Sequence, residues 1–567
     1  MNTKEKIQEL EKTYEILHVV DLDPWHDVPF YQKSIWLQKQ LTVLYRSAFE
    51  SNQRIVFTLS RGDVYKTQDT VAGSLLTDFQ SQLNAIDISN FFVILITNDD
   101  KFIPLAHEWI QKNVSADSVP FTHIVCDPSI TKKTLGQNPK SVAEYNSVVP
   151  LKIELAELTD QQQYLLTESK TFCMYPWMHI HSYPTGATYP CCFSEMKNTI
   201  GDCGKNTLKE IWNDVPLKTM RLNMLSGTPS EACNRCYEQE NAGFFNGRVS
   251  ANKHHGHHIG RVDHTLSDGT LEQFEMTYWD IRFSNLCNLS CRSCGHIFSS
   301  SWYKDQTQLA GPEWAKNNKP LIYAGRFATD IYEQLLEHVD HVEQIYFAGG
   351  EPLMMEEHYL ILEELERRGR FDVRLIYNTN FTKTKLKNRT VFDYWRKFDS
   401  VSVGASLDDM GPRAEYIRKG TEWEIVEQNR RLMMEICPKV DFYISPTLSI
   451  MNALHITKFH RYMVEQGFIR PQDINVNILQ DPAHYRIDIA PAEYKKQICD
   501  DFEKHLEWLR PLDPLRRATV GFESAINFLM ATDNSALLPK FWSKTNELDQ
   551  IRNENILLVI PELKALQ

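Results

Sequence analysis

Between residues 285 and 294 the sequence reads NLCNLSCRSC, which places Cys287, Cys291 and Cys294 in a C-x3-C-x2-C pattern directly after an extended run. A loop this short cannot scatter its thiols; it wraps them round a common centre. Thiolates are the usual protein ligands of iron-sulfur clusters, and no fourth cysteine stands nearby. One iron of a cubic cluster would then be open to a small molecule. A structural zinc site is the competing reading, but it wants four ligands and usually paired C-x2-C knuckles.

The rest of the chain must supply a fold that carries such a loop. From about residue 275 to 480, strand-like runs at 276–283, 344–348, 373–378, 400–405, 441–447 and 474–478 alternate with helical stretches. That alternation predicts an α/β architecture with a parallel sheet and right-handed crossovers. In parallel α/β sheets the chemistry gathers at the C-terminal strand ends, and three motifs fall there. Gly349-Gly350-Glu351-Pro352 offers backbone that can approach a ligand closely and a carboxylate that can accept from an ammonium; a tight turn would use the same glycines. Tyr377-Asn378-Thr379-Asn380 and Gly404-Ala405-Ser406-Leu407-Asp408-Asp409 offer short polar side chains, which also serve as turn and cap residues.

The cysteine triad followed by G-G-E-P resembles the radical SAM superfamily. The resemblance implies a partial six-stranded (β/α) barrel in which Cys287, Cys291 and Cys294 hold a 4Fe-4S cluster and its open iron takes S-adenosyl-L-methionine. It further implies that Gly349, Gly350 and Glu351 hold the amino group of that ligand, that Asn380, Ser406 and Asp408 meet its ribose, and that Arg418 meets its carboxylate. For Arg418 an ordinary surface arginine is the alternative. One departure is Ser293, where relatives carry an aromatic residue near adenine; that contact is expected from the Tyr377 region or an apolar strand end.

Upstream, Cys173, Cys191 and the knuckle Cys233-x2-Cys236 flank a glycine, Gly186, that would let a hairpin turn both flanking thiols to one side. Over residues 171–242 this is similar to the twitch and SPASM auxiliary-cluster modules, with Phe172, Pro176, Trp177, the Trp212 helix, Arg221 and Gly227 fitting the pattern. Such modules usually follow the core, whereas here the segment precedes it. The likeness implies one auxiliary 4Fe-4S cluster on Cys173, Cys191, Cys233 and Cys236. Cys192 is a reserve ligand, and Cys203 is either a spare thiol or a further ligand. His179 and His181 share one face of a strand, open to packing or ligation. The run from His254 to His258, within an irregular stretch at 242–272, reads as a surface loop, with zinc or nickel binding by the clustered imidazoles as the alternative.

Residues 1–150 read as an open α/β layer domain of unknown role, with strands at 55–59, 91–97 and 121–126 and helices at 31–49 and 104–113. Val19 to Asp23 reads as a solvated turn, with a strand end presenting carboxylates as the alternative. Without G-x-G-x-x-G or Walker loop, no nucleotide site is expected in that domain. Beyond residue 480, helices are expected at 491–509, 523–530 and 546–565. The domain map is thus 1–150, 165–245 for the auxiliary module, 272–480 for the core and 481–567 for a helical extension.

The formal charge is -13, which argues against a nucleic-acid partner. No run of 18 apolar residues occurs, so no membrane span is expected. Twelve cysteines without an export signal read as reduced thiols and metal ligands in a cytoplasmic setting. The expected function is a radical SAM enzyme that reductively cleaves S-adenosylmethionine and abstracts hydrogen from a peptide or protein, with flavodoxin or ferredoxin as one-electron donor. A small metabolite, sugar or nucleotide derivative is the alternative substrate, and a non-catalytic iron-sulfur electron-transfer protein is the alternative class.

Overall fold

A computed structural model describes residues 153–567, apart from 242–245 and 514–515, and the backbone of four strands nearer the N-terminus. The chain divides into two units, 1–138 with 508–516 and 139–507 with 517–567.

In the first unit β1 (Ile16–Asp21), β2 (Arg54–Leu59), β3 (Phe91–Thr97) and β4 (Thr122–Cys126) form a parallel sheet in that order. Runs such as RIVFTL and FFVILIT are rich in the branched and aromatic residues that fit a pleated surface. The same preference overturns the turn expected at Val19: Ile16 to Asp21 is a strand, paired along its length with β2. The helices expected at 31–49 and 104–113 lie outside the described residues, as does the side chain of Cys126.

The second unit is built on one eight-stranded sheet. Its parallel core comprises β8 (Tyr278–Ile281), β9 (Gln344–Phe347), β10 (Arg374–Thr379), β11 (Val401–Ala405) and β12 (Asp441–Ile444). Each hydrogen-bonds to the next in parallel. On the far flank of β8 lie β5 (His181–Ser182), β6 (Ala187–Tyr189) and β7 (Gly201–Asp202). β5 pairs in parallel with β8, His181 opposite Asp280. The sheet therefore runs straight through the boundary expected between module and core, and the upstream module docks as an edge of the core sheet. The segment expected as a sixth core strand joins through a single bridge, Ile444 to Ile474, and the short ladder Thr447–Leu448 with Asn477–Ile478.

Burial alternates along the sheet. In β10 Leu375, Tyr377 and Thr379 are buried while Arg374, Ile376 and Asn378 are half-buried, the period of two that a strand imposes when one face is covered. The covered face packs under helices Glu356–Arg367 and Val391–Trp395, whose buried residues include Tyr359, Leu362 and Trp395. Each such side chain removed from water contributes about 1.5–3 kcal/mol.

Two stretches differ from expectation. Residues 247–264, read as a loop, are an α-helix (Gly247–His255) followed by a 3-10 helix (Gly256–His264). Asn246 caps the first by accepting from the Val249 N–H. His257 and His258 each lie 2.9 Å from the carboxylate of Glu343. At the C-terminus, the single helix expected over 546–565 is broken: Leu538–Arg552 ends where Asn553 turns left-handed, φ 52, a conformation asparagine tolerates. Asn555 then caps Ile556–Val559, and Pro561 opens the last 3-10 turn.

Candidate active site and auxiliary thiol pocket

The three-thiol loop follows β8 and is tied down at both ends. Asn285 donates from Nδ2 to the His296 and Pro320 carbonyls, and its Oδ1 accepts from the Ile322 N–H. Ser301 donates to the Cys287 carbonyl at 2.7 Å, and the Trp302 indole N–H to the Cys291 carbonyl at 2.8 Å. These bonds fix the loop backbone so that the three side chains face one region. Burial pushes all three thiols up, Cys294 to about 12, and each of the other two raises Cys287 further. Buried thiols so placed become thiolates only if a cation offsets the charge, as cluster irons do.

The glycine loop after β9 is stitched to the same segment. The Glu351 N–H donates to the Leu286 carbonyl at 2.7 Å and the Gly350 N–H to the Ser284 carbonyl at 3.3 Å. A Cβ at Gly350 would lie 2.2 Å from the Leu286 carbonyl oxygen, so only glycine permits the approach. The Glu351 carboxylate accepts from the Thr379 hydroxyl and the Asn380 N–H, both at 2.7 Å, and from the Leu353 N–H. Burial nevertheless raises it to about 7.

Asn380 reaches the loop itself: its Nδ2 is 3.8 Å from Cys287 Sγ and 3.0 Å from Asn288 Oδ1. Arg418 approaches from the opposite side, Nη1 3.8 Å from Cys291 Sγ. The two-residue ladder Arg418–Lys419 with Ser290–Cys291 holds it there. Asp408 is buried and paired with Arg418 at 2.8 Å, and also accepts from the Thr447 N–H. Arg418 is thus no ordinary surface arginine. Ser406 stands just beyond β11, its N–H bonded to the Thr379 carbonyl. Of the seven residues expected at the ligand site, Gly350, Glu351, Asn380 and Arg418 contact the cysteine segment, Asp408 pairs with Arg418, and Gly349 and Ser406 follow the ends of β9 and β11. Of the contacts expected for adenine, the Tyr377 ring itself is excluded: it is fully buried, stacked on Phe347, with its hydroxyl bonded to His358 on the helix-covered face. Odd and even strand positions point to opposite faces, and Tyr377 is on the wrong one.

The second group of thiols comes from distant stretches. Cys173, Cys191, Cys233 and Cys236 line one small cavity with Tyr175, Phe193 and Arg248. Gly186, φ 89, turns the β5–β6 hairpin as expected. Cys173 is held by helix Gly247–His255: Asn252 accepts from the Met174 N–H and donates to the Phe172 carbonyl. The Arg248 guanidinium donates to the carbonyls of Ser169 and Phe172 and pairs with Glu240. Burial raises each thiol, Cys233 to about 11, so this donor set also suits a charged iron cluster. Arg221 is buried, donating to the Pro176 and Gly269 carbonyls with its guanidinium over Trp212. Cys203 lies apart, fully buried near Asp202 and Asp330. Cys192 faces Asp280 and Arg282. Packing accounts for the two histidines: His179 stacks on Tyr278, and His181 bonds to Asp280.

Several functional neighbours escaped the sequence reading. Arg292, between two of the cysteines, is fully buried; it pairs with Asp549 and Glu554 of the C-terminal segment and stacks on Tyr416. Its position inside the cysteine motif was the available signal. Arg248 lies in a stretch read as irregular, and Arg282 lies at the end of the expected strand 276–283, where nothing in the spacing marks it.

Residues 173–237 match the SPASM family, an iron-sulfur cluster-binding domain. Two curated relatives are cysteine-type anaerobic sulfatase-maturating enzymes of Clostridium perfringens strains, 26% and 25% identical over 237 residues. The match covers 39% of this chain and 57% of each relative. Among solved structures, native anSMEcpe with bound AdoMet is 20% identical over 40% of this chain and 58% of that one, TM-score 0.28. TYW1 with a lysine-pyruvate adduct bound is 13% identical over 41% of this chain and 70% of that one, TM-score 0.23.

Proposed function

On the premise of a chain that carries a SPASM iron-sulfur module and is related to sulfatase-maturating radical SAM enzymes, we propose a radical SAM enzyme that modifies a peptide or protein. The observation that carries this reading is the convergence on the loop of Cys287, Cys291 and Cys294 of Glu351 and Asn380 from two neighbouring strand ends and of Arg418 from the ladder that pairs with Cys291. A 4Fe-4S cluster held by the three cysteines would, with S-adenosylmethionine, supply a 5'-deoxyadenosyl radical able to take hydrogen from an unactivated carbon.

The chain's own residues do the rest. Gly349 and Gly350 bring backbone close enough to accept from the ligand's ammonium, and Glu351, buried and held by three donors, presents the opposing charge. Arg418, oriented by Asp408, is the cation for the ligand's carboxylate. Ser406, Asp408 and Asn380 border the ribose position. Cys173, Cys191, Cys233 and Cys236 hold an auxiliary 4Fe-4S cluster. The five-stranded ladder, extended by residues 474–478, forms the partial six-stranded barrel whose lumen shields the reacting carbon from water. A small flavodoxin or ferredoxin delivers the electron. The peptide substrate rests on the relatives' sulfatase-maturating activity.

Anaerobic reconstitution followed by an assay for dithionite-dependent 5'-deoxyadenosine tests the proposal. Formation of that product with about eight irons per chain is expected for two 4Fe-4S clusters. Full iron loading without the product overturns the enzyme reading.

A further inference from the structure

The face of the core sheet turned away from helices Glu356–Arg367 and Val391–Trp395 is largely polar, and of its residues Tyr278, Asp280, Ser402 and Asp441 are buried. Register places Tyr278 and Asp280 of β8 in line with Gln344 and Tyr346 of β9, Arg374, Ile376 and Asn378 of β10, Ser402 and Gly404 of β11, and Asp441 and Tyr443 of β12. Tyr346, Asn378 and Tyr443 are only half-buried. Gly404 is what makes room for the last two: a Cβ there would lie 2.9 Å from both Asn378 Oδ1 and the Tyr443 hydroxyl. A sheet face that keeps polar side chains accessible, opposite one packed with Leu, Val and Phe, has the character of a ligand-binding wall.

One side chain on that wall has unused donors. Arg282, next after β8, bonds through Nε to Asp280 Oδ1 at 3.0 Å. Asp280 is fully buried, and its other oxygen lies 3.1 Å from His181 Nδ1. The Arg282 main chain is fixed as well, its N–H donating to the Ser182 carbonyl. Its Nη1 and Nη2 have no partner among the described residues, although the side chain is only 16% exposed. The guanidinium carbon sits 5.4 Å from the Tyr346 ring. On one side, Arg282 Cβ is 3.5 Å from where a Gly349 Cβ would stand; on the other, its charge acts on Cys192 and Tyr183. Arg282 therefore stands beside the glycine loop and within electrostatic reach of Cys192, the neighbour of Cys191.

We propose that Arg282, aimed by Asp280, is the substrate anchor of this enzyme and takes a carboxylate of the peptide in a bidentate grip. A planar guanidinium with one edge fixed and two donors free matches a carboxylate's two oxygens and loses little freedom in binding it. Neutralising Asp280 requires Nε alone and gives no use for the two free nitrogens. The carboxylate is either an Asp or Glu side chain or the peptide's C-terminus. This inference rests on the peptide-modifying reading above.

The test is anaerobic calorimetry on reconstituted enzyme with S-adenosylmethionine, using three N-terminally blocked hexapeptide pools. One pool carries aspartate and a C-terminal amide, the second asparagine and a free carboxylate, the third asparagine and an amide. One of the first two binds at least tenfold more tightly than the third, and which one does so identifies the source of the carboxylate. Arg282→Gln removes that preference and Arg282→Lys restores part of it. The double variant Asp280→Asn with Arg282→Gln, which leaves no unpaired buried charge, repeats the loss if the single variant misfolds. Equal binding of all pools, no binding by any, or a preference that survives Arg282→Gln overturns the assignment. If the same preparation still forms 5'-deoxyadenosine, the enzyme reading stands while the anchor falls.

Discussion

The two groups of thiols are built in opposite ways. Cys287, Cys291 and Cys294 come from one loop of eight residues, closed by bonds from Asn285, Ser301 and Trp302. Cys173, Cys191, Cys233 and Cys236 span more than sixty residues and meet only because a hairpin, a knuckle and helix Gly247–His255 bring them together. The local site has one thiol fewer and is ringed by Glu351, Asn380, Asp408 and Arg418. The distributed site has four thiols and one neighbouring cation, Arg248. On the proposed reading the first receives a ligand from outside and the second is complete.

The largest effect that separates them is on chemistry. Alanine at Cys287, Cys291 or Cys294 is expected to lower 5'-deoxyadenosine formation at least about a thousandfold and to leave about four irons per chain. Alanine at Cys173, Cys191, Cys233 or Cys236 is expected to cost a similar share of iron while the unprompted formation of 5'-deoxyadenosine stays within about tenfold. If both sets abolish it equally, the division of labour is wrong.

Next comes the frame of the local site. Arg292→Met leaves the buried Asp549 without its cation and leaves the half-buried Glu554 with Lys419 alone, and is expected to cost about 3–5 kcal/mol in chemical denaturation. The same change with Asp549→Asn and Glu554→Gln should recover most of it. Glu351→Gln keeps the shape but removes the charge facing an ammonium. Affinity for S-adenosylmethionine, measured by equilibrium binding, should fall about thirtyfold, on the order of 2 kcal/mol.

The smallest test concerns the covered face. Burial lowers His358 to about 3 from its ordinary 6.5. The unfolded chain therefore takes up a proton that the folded one refuses, and stability is lost as pH falls from about 6.5 towards 3. By pH 5 the loss is about 2 kcal/mol. His358→Gln should flatten the slope of thermal unfolding against pH without altering iron content.

How far the sequence speaks follows the same division. The three-thiol loop and the G-G-E-P turn are contiguous, so their residue types and spacing announce them, and strand alternation locates the five-stranded ladder. The thiols of the auxiliary pocket could be picked out by likeness, but the helix that holds Cys173 could not. Its sequence, GRVSANKHH, is mostly polar because Arg248 and Asn252 are buried for hydrogen bonding, which hides the apolar stripe a reader looks for. Arg282 is invisible for a further reason: nothing in the residues around it says that His181, a hundred positions earlier, will pair with its neighbour Asp280. The exclusion of the Tyr377 ring is a matter of parity, since one step along β10 changes which side of the sheet a ring occupies.

The pairing of His181–Ser182 with β8 has a practical corollary. Trimming the protein back to its core would strip β8 of a neighbour and bare a row of amide and carbonyl groups, the kind of naked margin through which sheets clump together. Upstream module and downstream core therefore cannot be treated as interchangeable cassettes: whoever expresses or redesigns one must carry the other along.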